Sequence, residues 1–122
     1  MRTNVKATNI ELTESISNYL DKRLSALNKF VDENDDSAMC YAEVGKTSKH
    51  HKSGDIFRAE INLHLGGKAY RGEHECEDLY SAIDKVKDEI IIELRKAKIQ
   101  KNSFMRKGGR RLKEMMRRMW DK

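Results

Sequence analysis

The clearest pattern in the chain is an alternation: Phe57, Ala59, Ile61, Leu63 and Leu65 are apolar, and Arg58, Glu60, Asn62 and His64 between them are polar. A period of two sends alternate side chains to opposite faces, so this stretch reads as a strand with one buried face. Gly66-Gly67 follows as a tight turn, and Lys68–Cys76 continues as a more polar partner strand with Tyr70 and Cys76 on one face. Upstream, Cys40, Ala42 and Val44 share a face within a strand expected over Ala38–Val44, and Arg2–Thr8 reads as a first short strand around Val5. Two stretches change the period to that of a helix. Ile16, Leu20, Leu24, Leu27 and Val31 recur behind Thr13, a favourable N-cap, with Asn18, Lys22, Ser25 and Lys29 on a different face. Leu79, Ile83, Val86, Ile90, Leu94 and Ala97 recur behind Asp78, and that helix is expected to run to about Lys101.

The segments between these elements are polar. Asp32-Glu33-Asn34-Asp35-Asp36 reads as a solvated acidic turn ending the first helix. Gly45 and Gly54 bracket a basic loop containing Lys46, Lys49, His50, His51 and Lys52, which reads as a solvent-facing hairpin excursion. The order is therefore β-α-β-β-β-α. It predicts an α+β fold: a four-stranded mixed sheet with two helices on one face, similar in character to double-stranded-RNA-binding domains. A right-handed crossover makes the first two strands parallel and leaves the later pairs as antiparallel hairpins. Residues 1–101 form the expected domain. Residues 102–122 are a basic tail, interrupted at Gly108-Gly109, in which Leu112, Met115, Met116, Met119 and Trp120 mark one helical face. That tail is expected to be amphipathic or largely disordered, because so short a helix is marginal alone in water.

Composition bears on the partner. The 122 residues carry a formal charge of +5, but residues 95–122 alone hold 12 basic side chains against Glu114 and Asp121, while the rest of the chain is net acidic. A mildly acidic body with a strongly basic end points to a polyanion. No apolar run approaches a membrane span, and no apolar h-region is seen at Met1-Arg2-Thr3-Asn4-Val5-Lys6. Cys40 and Cys76 are too few for a disulfide framework and are expected to be reduced thiols in a cytoplasm.

Catalytic chemistry is poorly supported. His64, His74, Cys40 and Cys76 show no CxxC or HExxH spacing, and no P-loop, nucleophile elbow or dinucleotide fingerprint is present. Asp78-Leu79-Tyr80 reads as a cap, a core residue and a sheet-edge aromatic rather than a catalytic fragment. No metal, cofactor or small-molecule substrate is expected.

Two segments carry a family resemblance: His51-Lys52-Ser53-Gly54-Asp55-Ile56-Phe57-Arg58-Ala59-Glu60-Ile61-Asn62-Leu63, and Asp78-Leu79-Tyr80-Ser81-Ala82-Ile83-Asp84-Lys85-Val86. With the opening Val5-Lys6-Ala7-Thr8-Asn9-Ile10-Glu11-Leu12-Thr13, they resemble the ribosome hibernation-promoting factors, also called ribosome-associated translation inhibitors, over about residues 1–101. Long members add a C-terminal dimerisation domain. This chain ends at Lys122 and resembles the short type. The resemblance implies a cytoplasmic, ribosome-associated protein that binds the 30S subunit and its 16S rRNA in the mRNA/tRNA channel and holds ribosomes inactive under stress. It implies rRNA contacts from Lys22, Arg23, Lys29, Lys85, Lys87, Arg95, Lys96 and Lys98. Lys49, His50, His51, Lys52, Arg106, Lys107, Arg110 and Arg111 are possible additional RNA contacts. The physical case is phosphate neutralisation, which needs no base specificity. Competing readings are a general RNA-binding or RNA-chaperone module, and a peripheral membrane or partner-binding module acting through the C-terminal helix. Self-association stays open.

Overall fold

A computed structural model describes residues 1–47 and 54–120, apart from the side chains of Met105, Arg110, Leu112, Lys113, Met116, Arg118, Met119 and Trp120. The elements are β1 (Arg2–Thr8), α1 (Glu14–Leu24), a 3₁₀ segment (Ser25–Phe30), β2 (Met39–Lys46), β3 (Phe57–Leu65), β4 (Lys68–Cys76) and α2 (Leu79–Trp120). The fold is the expected α+β one, with a single sheet in the order β1-β2-β3-β4. β1 and β2 are parallel, joined through α1, while β2–β3 and β3–β4 are antiparallel. The chain divides into two compact units, 1–92 and 93–122. The first holds the sheet, α1 and the start of α2; the second is helical through Trp120.

Both helix starts are made by the side chains that the pattern indicates. Thr13 Oγ1 accepts from the Ile16 amide at 3.2 Å, and Asp78 Oδ2 accepts from the Ser81 amide at 3.2 Å and the Ser81 hydroxyl at 3.1 Å. The first helix is shorter than its apolar stripe suggests. Ser25 Oγ donates to the Lys22 carbonyl at 2.6 Å, and the chain tightens there into the 3₁₀ segment. The acidic turn is more than a solvated connection. Asp35 accepts from the Ser37 hydroxyl and amide and from the Gly66 amide at 2.9 Å, and these donors, the Ser37 hydroxyl foremost, hold its carboxyl below the ordinary range. Gly66 and Gly67 have φ of 56° and 77°, the left-handed pair a two-residue hairpin needs.

One difference from expectation is large. α2 does not close near Lys101 but continues through Asn102 and Gly108-Gly109 to Trp120. Gly108 and Gly109 are not among the residues of positive φ, so neither forms the left-handed cap that would stop a helix. A glycine inside a helix costs about 1 kcal/mol relative to alanine, which weakens the segment without breaking it.

In the first unit the core lies between the sheet and the helices. Leu20, Leu27, Ile61, Leu63, Ile83 and Ile90 are all essentially inaccessible. Gly72 sets how closely α2 approaches. A Cβ there would lie 2.9 Å from Val86 Cγ2 and 3.5 Å from Ile90 Cδ1. Gly72→Ala should therefore destabilise by about 1–3 kcal/mol through overpacking. Equilibrium urea unfolding should show a lower midpoint at unchanged slope, with part of the loss recovered by adding Val86→Ala.

Candidate nucleic-acid interface

The outer surface of the helices carries the basic residues singled out in the sequence, and the structure separates them into two groups. Lys22 on α1, Lys29 on the 3₁₀ segment and Lys85 on α2 are exposed, and among the described residues none of them enters an ion pair. These ammonium groups are available to an external anion. Lys29 also lies 5.3 Å from the centre of the Phe30 ring, which steadies its stem.

Arg23 and Lys87 are different. Arg23 Nε lies 3.0 Å from Asp84 Oδ1, and its guanidinium stands 4.9 Å from the Tyr19 ring centre. Tyr19 donates its hydroxyl to the same carboxylate at 2.7 and 2.8 Å, and packs edge-on against Tyr80 at 4.7 Å. Arg23 is thus part of a clasp joining α1 to α2, and 39% of its side chain remains exposed. Lys87 pairs with Asp88 at 2.7 Å and is only 16% exposed, so a neighbouring carboxylate already offsets its charge. Tyr80, read in the sequence as a sheet-edge aromatic, instead packs on this clasp. The clasp was invisible in the sequence because Tyr19 and Asp84 lie 65 positions apart.

In the second unit Arg95 and Lys98 are exposed, and Lys96 stands 3.7 Å from Glu93 one turn away. Further along α2, Arg106, Lys107 and Arg111 are exposed on a helix rather than on a disordered tail. The Arg110 side chain and the loop residues Lys49, His50, His51 and Lys52 lie outside the described residues.

The opposite, open face of the sheet carries a charge ladder. Arg58 contacts Glu43 at 3.7 Å, Glu73 at 2.6 Å and Glu60; Arg71 reaches Glu60 at 3.4 Å and Glu73 at 3.5 Å. Arg58 holds the Glu73 carboxyl below the ordinary range. The metal candidates from the sequence are dispersed. His64 is exposed, His74 Nε2 meets Glu89 Oε2 at 2.5 Å, and Cys40 is fully buried, which pushes its thiol up to about 11. Among the described residues no group of three or more His, Cys, Asp or Glu side chains is placed to hold a metal ion, and no helix is long and apolar enough to cross a membrane.

The small α+β fold, one sheet with two capped helices, is shared by two solved structures. A solved structure of the Protein Y N-terminal domain of Thermus thermophilus matches with a TM-score of 0.62 at 30% identity, covering 79% of this chain and 98% of that one. A ribosomal subunit interface protein from Coxiella burnetii matches in fold, with a TM-score of 0.62 at 15% identity, over 81% of this chain and 99% of that one. The family model described as sigma 54 modulation protein / S30EA ribosomal protein matches residues 3–102, and the chain belongs to this family. Curated relatives include the ribosome hibernation promotion factor of Deinococcus radiodurans, 30% identical over 74% of this chain and 45% of that protein. The ribosome hibernation promoting factor of Klebsiella oxytoca is 29% identical over 80% of this chain and 94% of its own length. The chain spans about half the length of the long relatives, such as the Deinococcus protein, and most of the short one.

The Tyr19–Asp84 bond makes a pH prediction. The donated hydrogen bond and the adjacent carboxylate raise the Tyr19 phenol above its ordinary 10.0, and Arg23 opposes this more weakly. A raised folded value means that the bond's stabilisation is complete below pH 10.0 and is lost as pH climbs through the folded value. In an ultraviolet titration Tyr19 should be among the last tyrosines to ionise, and Asp84→Asn should move it toward the others. An unchanged curve in Asp84→Asn would contradict the assignment.

Proposed function

We propose that this protein binds the 30S ribosomal subunit through basic residues of its helices and, seated in the mRNA/tRNA channel, holds the ribosome inactive under stress. The observation that carries the reading is the exposed, unpaired set Lys22, Lys29 and Lys85 on the helices of a fold whose family relatives are ribosome hibernation factors. Unpaired surface ammonium groups release counterions when they meet phosphate, and they do so without reading bases. Arg95 and Lys98 add the same chemistry from the second unit. Inhibition on this reading is steric: a folded body occupies space that mRNA and tRNA anticodon arms need, with no bond made or broken. The setting is cytoplasmic and ribosome-associated, with 16S rRNA as the contacted polymer and no cofactor or small-molecule substrate.

Neighbouring carboxylates rank the basic residues. Lys22, Lys29 and Lys85 are free to reach phosphate, whereas Arg23 and Lys87 must first leave a carboxylate. The general RNA-binding alternative finds support in the exposed Arg106, Lys107 and Arg111 of the long helix, and it predicts equal affinity for naked duplex RNA.

Cosedimentation with purified 30S subunits across a salt series, together with in vitro translation, tests the proposal. Glutamate substitutions at Lys22, Lys29 and Lys85 should each weaken binding and reduce the slope of log affinity against log salt by about 1. Lys87→Gln should change the slope less. Wild-type protein that neither cosediments at low salt nor inhibits translation would refute the reading.

A further inference from the structure

The open face of the sheet, away from the helices, is divided into two unlike ends. Strand register places Asn4, Tyr41, Asn62 and Arg71 in one row across all four strands, with Met39 and His64 in the row beside it. The rows beyond, through Glu43, Glu60 and Glu73, hold the charge ladder. Tyr41 is therefore an aromatic ring on a central strand, 41% exposed, at the border of a charged network.

Two clefts of about 410 Å³ each share Tyr41 as a wall. One is lined by Asn4, Lys6, Glu43 and Asn62, the other by Met39 and His64. The His64 ring stands edge-on to Tyr41 with centroids 6.2 Å apart. We propose that this end of the sheet is a platform for single-stranded RNA, with Tyr41 stacked between two successive bases, one in each cleft.

The chemistry of the clefts fits that occupant. Stacking on an exposed aromatic needs an unpaired strand, because a duplex keeps its base faces covered. Two cationic side chains border this end of the face: Lys6, which lines one cleft with Tyr41 and enters no ion pair among the described residues, and Arg71, in the Tyr41 row two strands away, near Glu60 and Glu73 and 64% exposed. Glu43 disfavours a phosphate in the cleft itself. Its carboxylate accepts hydrogen bonds instead, as it does from the Thr8 hydroxyl at 3.0 Å, and a ribose 2′-hydroxyl or an exocyclic amino group can supply them. Asn62 donates its amide nitrogen to Glu60 at 2.7 Å, which leaves its carbonyl oxygen as the free acceptor. A cleft offering acceptors favours the base with more donors, and the two N6–H groups of adenine exceed the single N3–H of an unpaired uracil. The backbone phosphates then run outward toward Lys6 and Arg71. This surface is distinct from the lysines of the helices, and the two can be tested separately.

The test uses the full chain and fluorescently labelled single-stranded oligoadenylate and oligouridylate of about six nucleotides, read by anisotropy at low salt. Wild type should bind oligoadenylate more tightly than oligouridylate. Tyr41→Ala should weaken oligoadenylate binding about ten-fold or more, since both stacked bases lose their ring, while Tyr41→Phe stays near wild type. Asn62→Leu should narrow the preference for adenine. The Lys22→Ala/Lys29→Ala/Lys85→Ala variant should retain the dependence on Tyr41 even where 30S binding fails, so failure of one proposal is distinguishable from failure of the other. Absence of oligonucleotide binding by wild type would overturn the platform. So would Tyr41→Ala binding like wild type with an unchanged melting temperature, or Tyr41→Phe losing as much as Tyr41→Ala.

Discussion

A missing side chain controls the arrangement of the first unit. Gly72 on the edge strand β4 leaves the space into which Val86 and Ile90 of α2 pack, and a single methyl group at that position would collide with Val86. Close-packed interiors transmit such a change rather than absorbing it. The approach of α2 to the sheet in turn lets Glu89 meet His74 on the same edge strand and presents Asp84 to Tyr19 and Arg23 on α1. The electrostatic contacts between α1 and α2 are thus consequences of an apolar contact. They set which basic side chains stay free on the outer surface.

That sorting is what the sequence could not show. The caps Thr13 and Asp78, the alternation of β3 and the Gly66-Gly67 turn are local signals, and the structure follows them closely. Gly72 carries no local signal in its polar strand, because its importance depends on a helix that comes later in the chain. Arg23 and Lys22 are adjacent and chemically similar, yet only Arg23 is taken up by Asp84. Asp35 was hidden in an acidic turn, although it fastens that turn to the β3–β4 hairpin. The glycines at 108 and 109 misled in the other direction. They read as a break, but glycine in helical φ weakens a helix without ending it.

The two faces of the first unit offer different chemistry. The helix side presents isolated ammonium groups, suited to phosphates and indifferent to sequence. The sheet side is mostly neutralised within its own ladder of carboxylates and guanidinium groups, leaving Tyr41 and His64 at one end. A domain that meets RNA through charge on one side and stacking on the other could engage a folded rRNA surface and an unpaired strand at once. Neither contact calls for catalysis, and both depend on rigid presentation of side chains by the packed core.

The central claim is that the helix face lies against 16S rRNA in the channel of the 30S subunit. Directed hydroxyl-radical probing tests it most directly. An iron chelate is tethered at Lys22→Cys or Lys85→Cys in a Cys76→Ser background, where the remaining Cys40 is buried and inert. The account predicts cleavage of 16S rRNA confined to the nucleotides lining the mRNA/tRNA channel from both positions. Cleavage confined to the outer surface of the subunit, or none from either tether on a protein that still cosediments, would contradict it.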